Sequence, residues 1–442
     1  MIKWIKILIA GIFVSFYFFP FEFTFLPGVN TKMAMAGVGL VWFVIELAKG
    51  RTPQIKMDGF HITIMATVVS LCALSSVIIN NTNDGSYVTY VVSMLVWLGG
   101  AYTAVGVVRL VHGCVSVSII CNYLIGVCVG QCALAMAINT MPEFKSVVDS
   151  YVVGFDFVNT ETLTKANRLY GIGAGLDVAG TRFAAVLVMI AILIKHMSMS
   201  HDKRGMWMYF VAFVIISVIG NMMARTTTVG AMVALSYWVL SSKLFDEASF
   251  SGTMRLWRRL LSVVCILLPL IVYLYTVDQQ FHDNIRFAFE GFFSLAEKGH
   301  WETNSNNILK NMIVFPDNVK TWIIGDGYLL NPSSIDPYYV GPIYKGFYKG
   351  TDIGYIRFIF YFGLVGLVSF VCYFFQVAKS CMKRFPKYST MFMLILAINM
   401  IVWLKVSTDI FLVFAIFLCI SKEENDAYEK EYEDSIPDSL DV

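Results

Sequence analysis

The chain alternates long apolar runs with short polar breaks. About 12 of the runs have the length that carries a helix across a hydrocarbon layer, roughly 17–25 residues. They cover 4–19, 32–48, 60–80, 87–109, 112–139, 183–200, 206–224, 227–242, 260–277, 353–377, 388–404 and 406–421. The pattern predicts an all-α multi-pass membrane protein with about 12 transmembrane helices. Two polar stretches, 140–181 and 278–352, are long enough to fold as loops, and the larger is expected to be partly helical. The organisation is therefore a polytopic membrane domain over 1–421 and a short tail over 422–442. The first run is bulky from Tyr17 to Phe25 and lacks a small-residue cleavage site, so it reads as a retained span. At the end of the larger loop, GTDIGYIRFIFYFGLVG from Gly350 to Gly366 reads as an unbroken passage from polar loop into apolar helix.

Composition agrees with the pattern. Hydrophobic residues make up 57%, charged residues 14%, and mean hydropathy is +0.67, whereas soluble domains carry roughly 25% charged residues. A net charge of +2 is silent about partners; the side on which the cations fall is informative. Lys and Arg concentrate in alternate short loops: Lys49, Arg51 and Lys56; Arg109; Lys195, Lys203 and Arg204; Lys243, Arg255, Arg258 and Arg259; Lys379, Lys383, Arg384 and Lys387. The positive-inside rule puts these loops and both termini in the cytoplasm, and places 140–181 and 278–352 outside. The acidic tail after Ser421 is expected to be solvated and disordered. None of the nine Cys falls in the two outer loops, and those of 114–132 read as small packing residues rather than a metal site. No phosphate-binding glycine loop, internal repeat or nucleic-acid signature is present. No cofactor and no metal is expected.

Charges at a membrane boundary are costly and are candidates for function. Arg168 and Arg182 bracket RLYGIGAGLDVAGTR, Arg225 lies in MARTTTVG, Arg286 in HDNIRFAFE, and Arg357 about a turn into the 353–377 run. Guanidinium groups fork onto phosphate oxygens and neutralise a departing pyrophosphate. The bland alternative is snorkelling to lipid headgroups. Trp322, Tyr328 and the other aromatics of 278–352 suit either sugar stacking or an interfacial belt. Tyr355 stands where that loop enters the next span. Asp326, Asp336 and Asp352 supply acid or base capacity. Asp352 is best placed to act on a hydroxyl beside Arg357, or simply to cap the helix that begins there.

At these residues the chain resembles the O-antigen polymerases of the Wzy type, bacterial polysaccharide polymerases grouped with the C-type glycosyltransferases (GT-C-like). FPFEFTFLPG is similar to the family's first outer turn, and RLYGIGAGLDVAGTRFAAVLVMI to its Arg- and Gly-containing approach to a mid-chain span. NMMARTTTVGAMVAL resembles its Ala-Arg-Thr helix start, and GDGYLL with TDIGYIRFIFYFGLVG its exit from the large loop. Some family members carry an Arg-to-Gly spacing in both loops; here the corresponding positions after Arg168, Arg182 and Arg286 are Ala184, Ser198 and Glu302.

The resemblance implies an enzyme of the bacterial inner membrane. It would move a glycan from undecaprenyl pyrophosphate to a lipid-linked repeat unit, with membrane lipid and a chain-length regulator protein as partners. Asp352, Arg225 and Arg357 would be catalytic. Arg168, Arg182, Arg286, Asp326, Tyr328, Trp322 and Tyr355 would bind substrate. The related O-antigen ligases place a His just before the span that follows the loop; Lys349–Asp352 has none, while His282 and His300 lie earlier. A ligase, or a flippase of lipid-linked oligosaccharide, is the alternative reading.

Overall fold

The computed structural model describes residues 2–50, 57–153, 168–199, 205–241, 247–344 and 346–434. Arg51, Lys56, Lys203, Arg204 and Lys243, and the middle of the 140–181 loop, lie outside them. The helices are α1 (Ile2–Phe18), α2 (Thr31–Ala48), α3 (Met57–Asn80), α4 (Tyr90–His112), α5 (Val117–Thr140), α6 (Pro142–Tyr151), α7 (Leu176–Met199), α8 (Met206–Met223), α9 (Thr227–Ser241) and α10 (Glu247–Val277). Within the larger polar stretch come α11 (Gln279–Ala288), α12 (Glu290–Lys298), α13 (Asn304–Lys310), α14 (Val319–Ile323) and α15 (Pro332–Ile335). They are followed by α16 (Gly354–Arg384), α17 (Ser389–Val402), α18 (Phe411–Leu418) and α19 (Lys422–Asp434).

Among the described residues, eight helices are long and apolar enough to cross a membrane: α2, α3, α4, α5, α7, α8, α10 and α16. The protein is thus an all-α, multi-pass membrane protein. The remaining apolar runs form shorter helices. The run at 406–421 departs most from expectation, because only α18 is helical there. Its eight residues reach about 12 Å at 1.5 Å per residue, well short of a hydrocarbon layer of about 30 Å.

The chain divides into two compact units, Met1–Ile45 with Gly99–Glu290 and Cys419–Val442, and Glu46–Leu98 with Gly291–Leu418. In the first unit α7 packs on α5, α8 and α9, and Phe183 to Ile194 are buried throughout. An irregular segment, 168–175, is held against this bundle by the Leu169 amide, which donates to Met222 O at 3.1 Å, and by one polar side chain of α5. The buried Gln131 of α5 accepts from the Ile172 amide at 3.0 Å and donates to the Ile172 carbonyl at 2.9 Å. This meets both polar backbone groups of a residue that no helix serves.

The tail corrects a sequence expectation. Residues 422–434 are not disordered but form α19, tied to the α4–α5 turn. Arg109 donates to both carboxylate oxygens of Glu424, each at 3.0 Å. Glu424 also accepts from the Val115 amide at 2.9 Å, and Asn425 from the Val117 amide at 3.0 Å. Composition alone missed this because four bonds on two residues, rather than hydrophobic burial, fix the helix. Glu424→Ala is expected to expose α19 to limited proteolysis at conditions where the wild type is protected, while the span core keeps its melting temperature. Charge-assisted bonds of this kind contribute about 1.5–3 kcal/mol each.

In the second unit α16 packs on α3, α14, α17 and α18, over an aromatic core of Tyr87, Phe358, Phe362, Phe370 and Trp403 with ring centroids 4.9–6.2 Å apart. The unbroken helix expected from Gly350–Gly366 is not formed. α16 breaks at Phe362 (φ −132°, ψ 17°) and Gly363 (φ 68°, ψ −173°). The break frees carbonyls inside an apolar span, where unsatisfied groups cost several kcal/mol each. They are met from outside the helix. The Asp326 and Gly327 amides donate to Phe360 O at 2.6 Å and Tyr361 O at 3.1 Å, and the Ser76 hydroxyl donates to Tyr361 O at 2.6 Å. The loop is fastened in turn to the end of α3 and the turn after it, Asn80 donating to Gly325 O at 3.1 Å and Thr82 to Gly327 O at 2.9 Å.

Candidate functional site

The sequence-selected charges gather in two places, one in each unit. In the first unit Arg225 follows α8, in the turn that opens α9. Arg168 precedes the Gln131-held segment, and Phe287 lies on the last turn of α11. The guanidinium of Arg168 stands 5.0 Å and that of Arg225 4.3 Å from the Phe287 ring centre. Cation–π contact of this kind holds an arginine without using its hydrogen-bond donors. Asp177, at the start of α7, accepts from Thr226 Oγ1 at 2.6 Å and acts electrostatically on Arg168. Burial pushes the Arg168 guanidinium below its ordinary pKa; Asp177 opposes this and Arg225 adds to it. An arginine stays protonated through such a shift. Arg225 Nη1 also touches Glu290 Oε2 at 2.5 Å. The atoms are not aligned for a directed hydrogen bond, and Nε, likewise buried, has no acceptor. Nη1 is therefore engaged by the Glu290 carboxylate, and the buried Nε is the Arg225 donor without an acceptor.

In the second unit Arg357 is buried on the first turn of α16. Nη1 donates to Ser407 Oγ at 2.6 Å, Nη2 reaches Leu329 O at 3.5 Å, and Nη1 is 3.7 Å from Asp352 Oδ1. The Phe347 ring lies over the guanidinium at 3.5 Å. Asp352, with a 37% exposed side chain, is the solvent-facing member. It does not cap α16: Ile353 occupies the cap position without a side-chain bond, and Thr351 Oγ1 accepts the Ile353 amide at 3.3 Å. Its carboxylate therefore faces the arginine instead of the helix end.

No family model, curated protein or solved structure matches the chain.

The other sequence-selected residues lie apart from these two clusters or beside them. Arg182 is buried in α7 and donates from Nη1 to Phe18 O at 2.5 Å, with Phe19 under its guanidinium at 5.5 Å. Through this bond it caps α1. Arg286 sits half-buried on the last turn of α11, next to Phe287. Asp326 accepts from Thr321 Oγ1 at 2.6 Å and from Tyr348 OH at 3.1 Å. Burial and this carboxylate push the Tyr348 phenol well above its ordinary pKa. Tyr328 packs on Tyr339 and Tyr348. Trp322 donates to Pro316 O at 3.1 Å. Tyr355 turns inward, its hydroxyl donating to Met400 O at 2.9 Å. The histidines have local partners: His282 contacts Asp283 at 3.1 Å and lies 4.4 Å from the Tyr275 ring, and His300 contacts Lys298 O at 3.1 Å.

Sequence reasoning missed Asp84. It lies in the short turn between α3 and α4 and is 1% exposed. Oδ2 accepts the Leu329 and Leu330 amides at 2.7 and 2.9 Å, and Oδ1 accepts Ser86 N at 3.0 Å and Ser86 Oγ at 2.5 Å. Its backbone carbonyl accepts Tyr361 OH at 2.8 Å. The carboxylate is saturated, so it organises the 329–330 backbone on which Arg357 rests. The signal was available: an acid in a tight turn between two spans meets the same boundary-charge test that was applied only to arginines. Glu290 and Asp177 stood within segments already singled out without being chosen, whereas Phe287 and Phe347 belong to the aromatics of 278–352 read as a sugar-stacking or interfacial set.

Proposed function

We propose that this protein is a membrane glycosyltransferase of the polysaccharide-polymerase type, acting at the outer face of a bacterial inner membrane. The observation that carries the reading is the Arg168–Phe287–Arg225 arrangement: two cations on one ring, one of them with an unmet donor, in a membrane protein. Paired arginines suit a diphosphate, and a diphosphate bound to lipid is the form such a group takes within a bilayer. The sequence resemblance to the Wzy-type polymerases points the same way, as does the placement of 278–352 by cation-rich short loops on the opposite face. In this reading the apolar runs, including the shorter helices α1, α9 and α17, cross the membrane in a GT-C-like arrangement, and α18 enters it only part of the way.

The transfer consumes two diphosphate lipids, a glycan donor and a repeat-unit acceptor. The acceptor hydroxyl oxygen forms the new bond to the donor sugar C1 while the C1–O bond to diphosphate breaks. The electron pair leaves on the diphosphate, whose charge arginine stabilises. The proton passes to a carboxylate, for which Asp352 is the exposed candidate; a base must reach the hydroxyl it serves. Asp84, with both oxygens saturated, is unsuited to that role.

Arg225→Ala is expected to leave membrane insertion and thermal stability near wild type while cutting polymer formation by about 10²–10³-fold, the scale of losing one preorganised charge donor. Gel analysis of glycans from a strain carrying the variant as its only copy should show single repeats. Normal chain lengths would rule out the assignment. Arg225→Lys should restore little, since a point charge lacks the fork.

A further inference from the structure

We propose that residues 313–323 of the larger polar stretch are seated in the bilayer: Phe315, Val319 and Ile323 enter the leaflet on the side of the α3–α4 turn, and phospholipid is what covers them. This placement does not depend on the glycosyltransferase reading; it requires only that α3 and α16 cross a membrane.

The depth of the segment is set by its contacts with the two spans. The Ile323 carbonyl and the Ile324 amide lie directly against Gly363, where a Cβ would strike them. The Asp326 and Gly327 amides bond Phe360 O and Tyr361 O, and Gly325 O accepts from Asn80, the last residue of α3. α14 therefore sits beside the interior of α16, not above its first turn. Beyond Arg357 the next cation of α16 is Lys379. A hydrocarbon layer of about 30 Å takes about 20 helical residues, and counted back from Lys379 these end near Ile359. Gly363 lies about one helical turn inside that edge, and Ile323 lies with it.

The side of the segment that faces away from the fold is apolar. Phe315 is 58% exposed, Val319 72% and Ile323 47%, each four residues from the next. The other side is tied down: the buried Thr321 donates to Asp326 Oδ1 at 2.6 Å, and Trp322 donates to Pro316 O at 3.1 Å and stacks on Phe315. Just past Gly363, α16 leaves Leu364, Val365 and Val368 exposed as well. These belong to a span, where the surroundings are lipid, and the apolar residues of 313–323 continue that surface at the same level. Exposed apolar residues scattered singly are ordinary on a protein; a cluster marks a lipid or protein contact, and the level of this one selects lipid.

The polar residues of the segment fit the same seat. Asp317, Asn318 and Lys320 are exposed between the apolar positions. An element at headgroup level carries this mixture, its lysine reaching outward and its aromatic rings taking the boundary. The apolar side chains of such elements enter about 5–10 Å into the headgroup–acyl boundary, which matches one turn of α16. The polar stretch is thus pinned to the leaflet beside the break in α16.

The test uses the full-length protein in lipid nanodiscs, one copy per disc, with the fluorescent amino acid dansylalanine replacing Val319 so that the native cysteines stay in place. Phospholipid spin-labelled near its headgroup is expected to quench the emission about twofold or more, while aqueous iodide has little effect. The same probe replacing Val368, deeper in α16, calibrates the lipid response. A probe replacing Ile323 is the second variant if the Val319 protein does not fold. Emission that iodide quenches and the spin-labelled lipid does not would overturn the placement and put the segment in water. Shielding from iodide without lipid quenching would overturn it as well, and would assign the face to a protein contact.

Discussion

Gly363→Val is expected to leave almost no folded protein. The backbone there combines φ 68° with ψ −173°, a region open essentially only to glycine, and a β-branched residue forced into it costs about 1–3 kcal/mol. A Cβ would also land on the backbone of Ile323 and Ile324, at the end of α14. That neighbour is main chain and cannot rotate away, so overpacking adds about another 1–3 kcal/mol. Displacing the 323–327 backbone would then strand Phe360 O and Tyr361 O inside the span. The sum is comparable to the 5–15 kcal/mol total stability of a typical domain. Yield of monodisperse protein on size exclusion is the measurement, with Gly11→Ala, whose Cβ meets nothing within 4 Å, as the neutral control. Gly325 predicts the same from the other side of the contact: its φ is 87°, and a Cβ would sit 2.6 Å from the Tyr361 carbonyl. A Gly363→Val protein that purifies and melts like wild type would mean that the break is not built as described.

Asp84→Ala is the second large effect. The substitution strands the amides of Leu329, Leu330 and Ser86, and each buried orphan donor costs about 1–3 kcal/mol. The Leu329 and Leu330 amides together give a loss of roughly 2–6 kcal/mol if water does not fill the space, while the exposed Ser86 can turn to solvent. Asp84→Asn keeps one accepting oxygen and should lose less than half as much. Thermal unfolding ranks the three proteins. Hydrogen exchange adds a local test, because the 329–330 amides should lose protection in Asp84→Asn before the spans do. Activity should fall with that local protection, since Leu329 O is one of the contacts of Arg357. Full protection of those amides in Asp84→Ala would contradict the role given to this carboxylate.

The apolar runs located the helices because a span must be continuous and apolar for its length, and that condition is written residue by residue. What hydropathy cannot show is where a span stops being helical inside. Phe362 and Gly363 are as apolar as their neighbours, and only contact with Gly325 and Ile323, far off in sequence, makes the break necessary. The same reasoning separates the arginines. Arg168, Arg182 and Arg225 look alike as boundary cations, yet Arg182 is committed to the end of α1 while Arg168 and Arg225 share Phe287. Asp352 was legible as a candidate; its freedom from the cap was not, because that depends on Thr351 accepting the Ile353 amide. The tail failed for the opposite reason: its composition is that of a solvated chain, and the bonds of Glu424 and Asn425 to the end of α4 and the turn after it seat it.

The break in α16 also decides how force travels through its unit. A continuous helix is a rod that passes axial load from end to end through its own hydrogen bonds. At Gly363 that path is cut, and the bonds leaving Phe360 and Tyr361 run sideways, into the 326–327 backbone and into Ser76. The short half of α16 that carries Arg357 is thus spliced mechanically to the loop and to α3, while the long half beyond Gly363 is a separate strut. A tug on the loop reaches Arg357 within two helical turns, through the bonds to Phe360 and Tyr361.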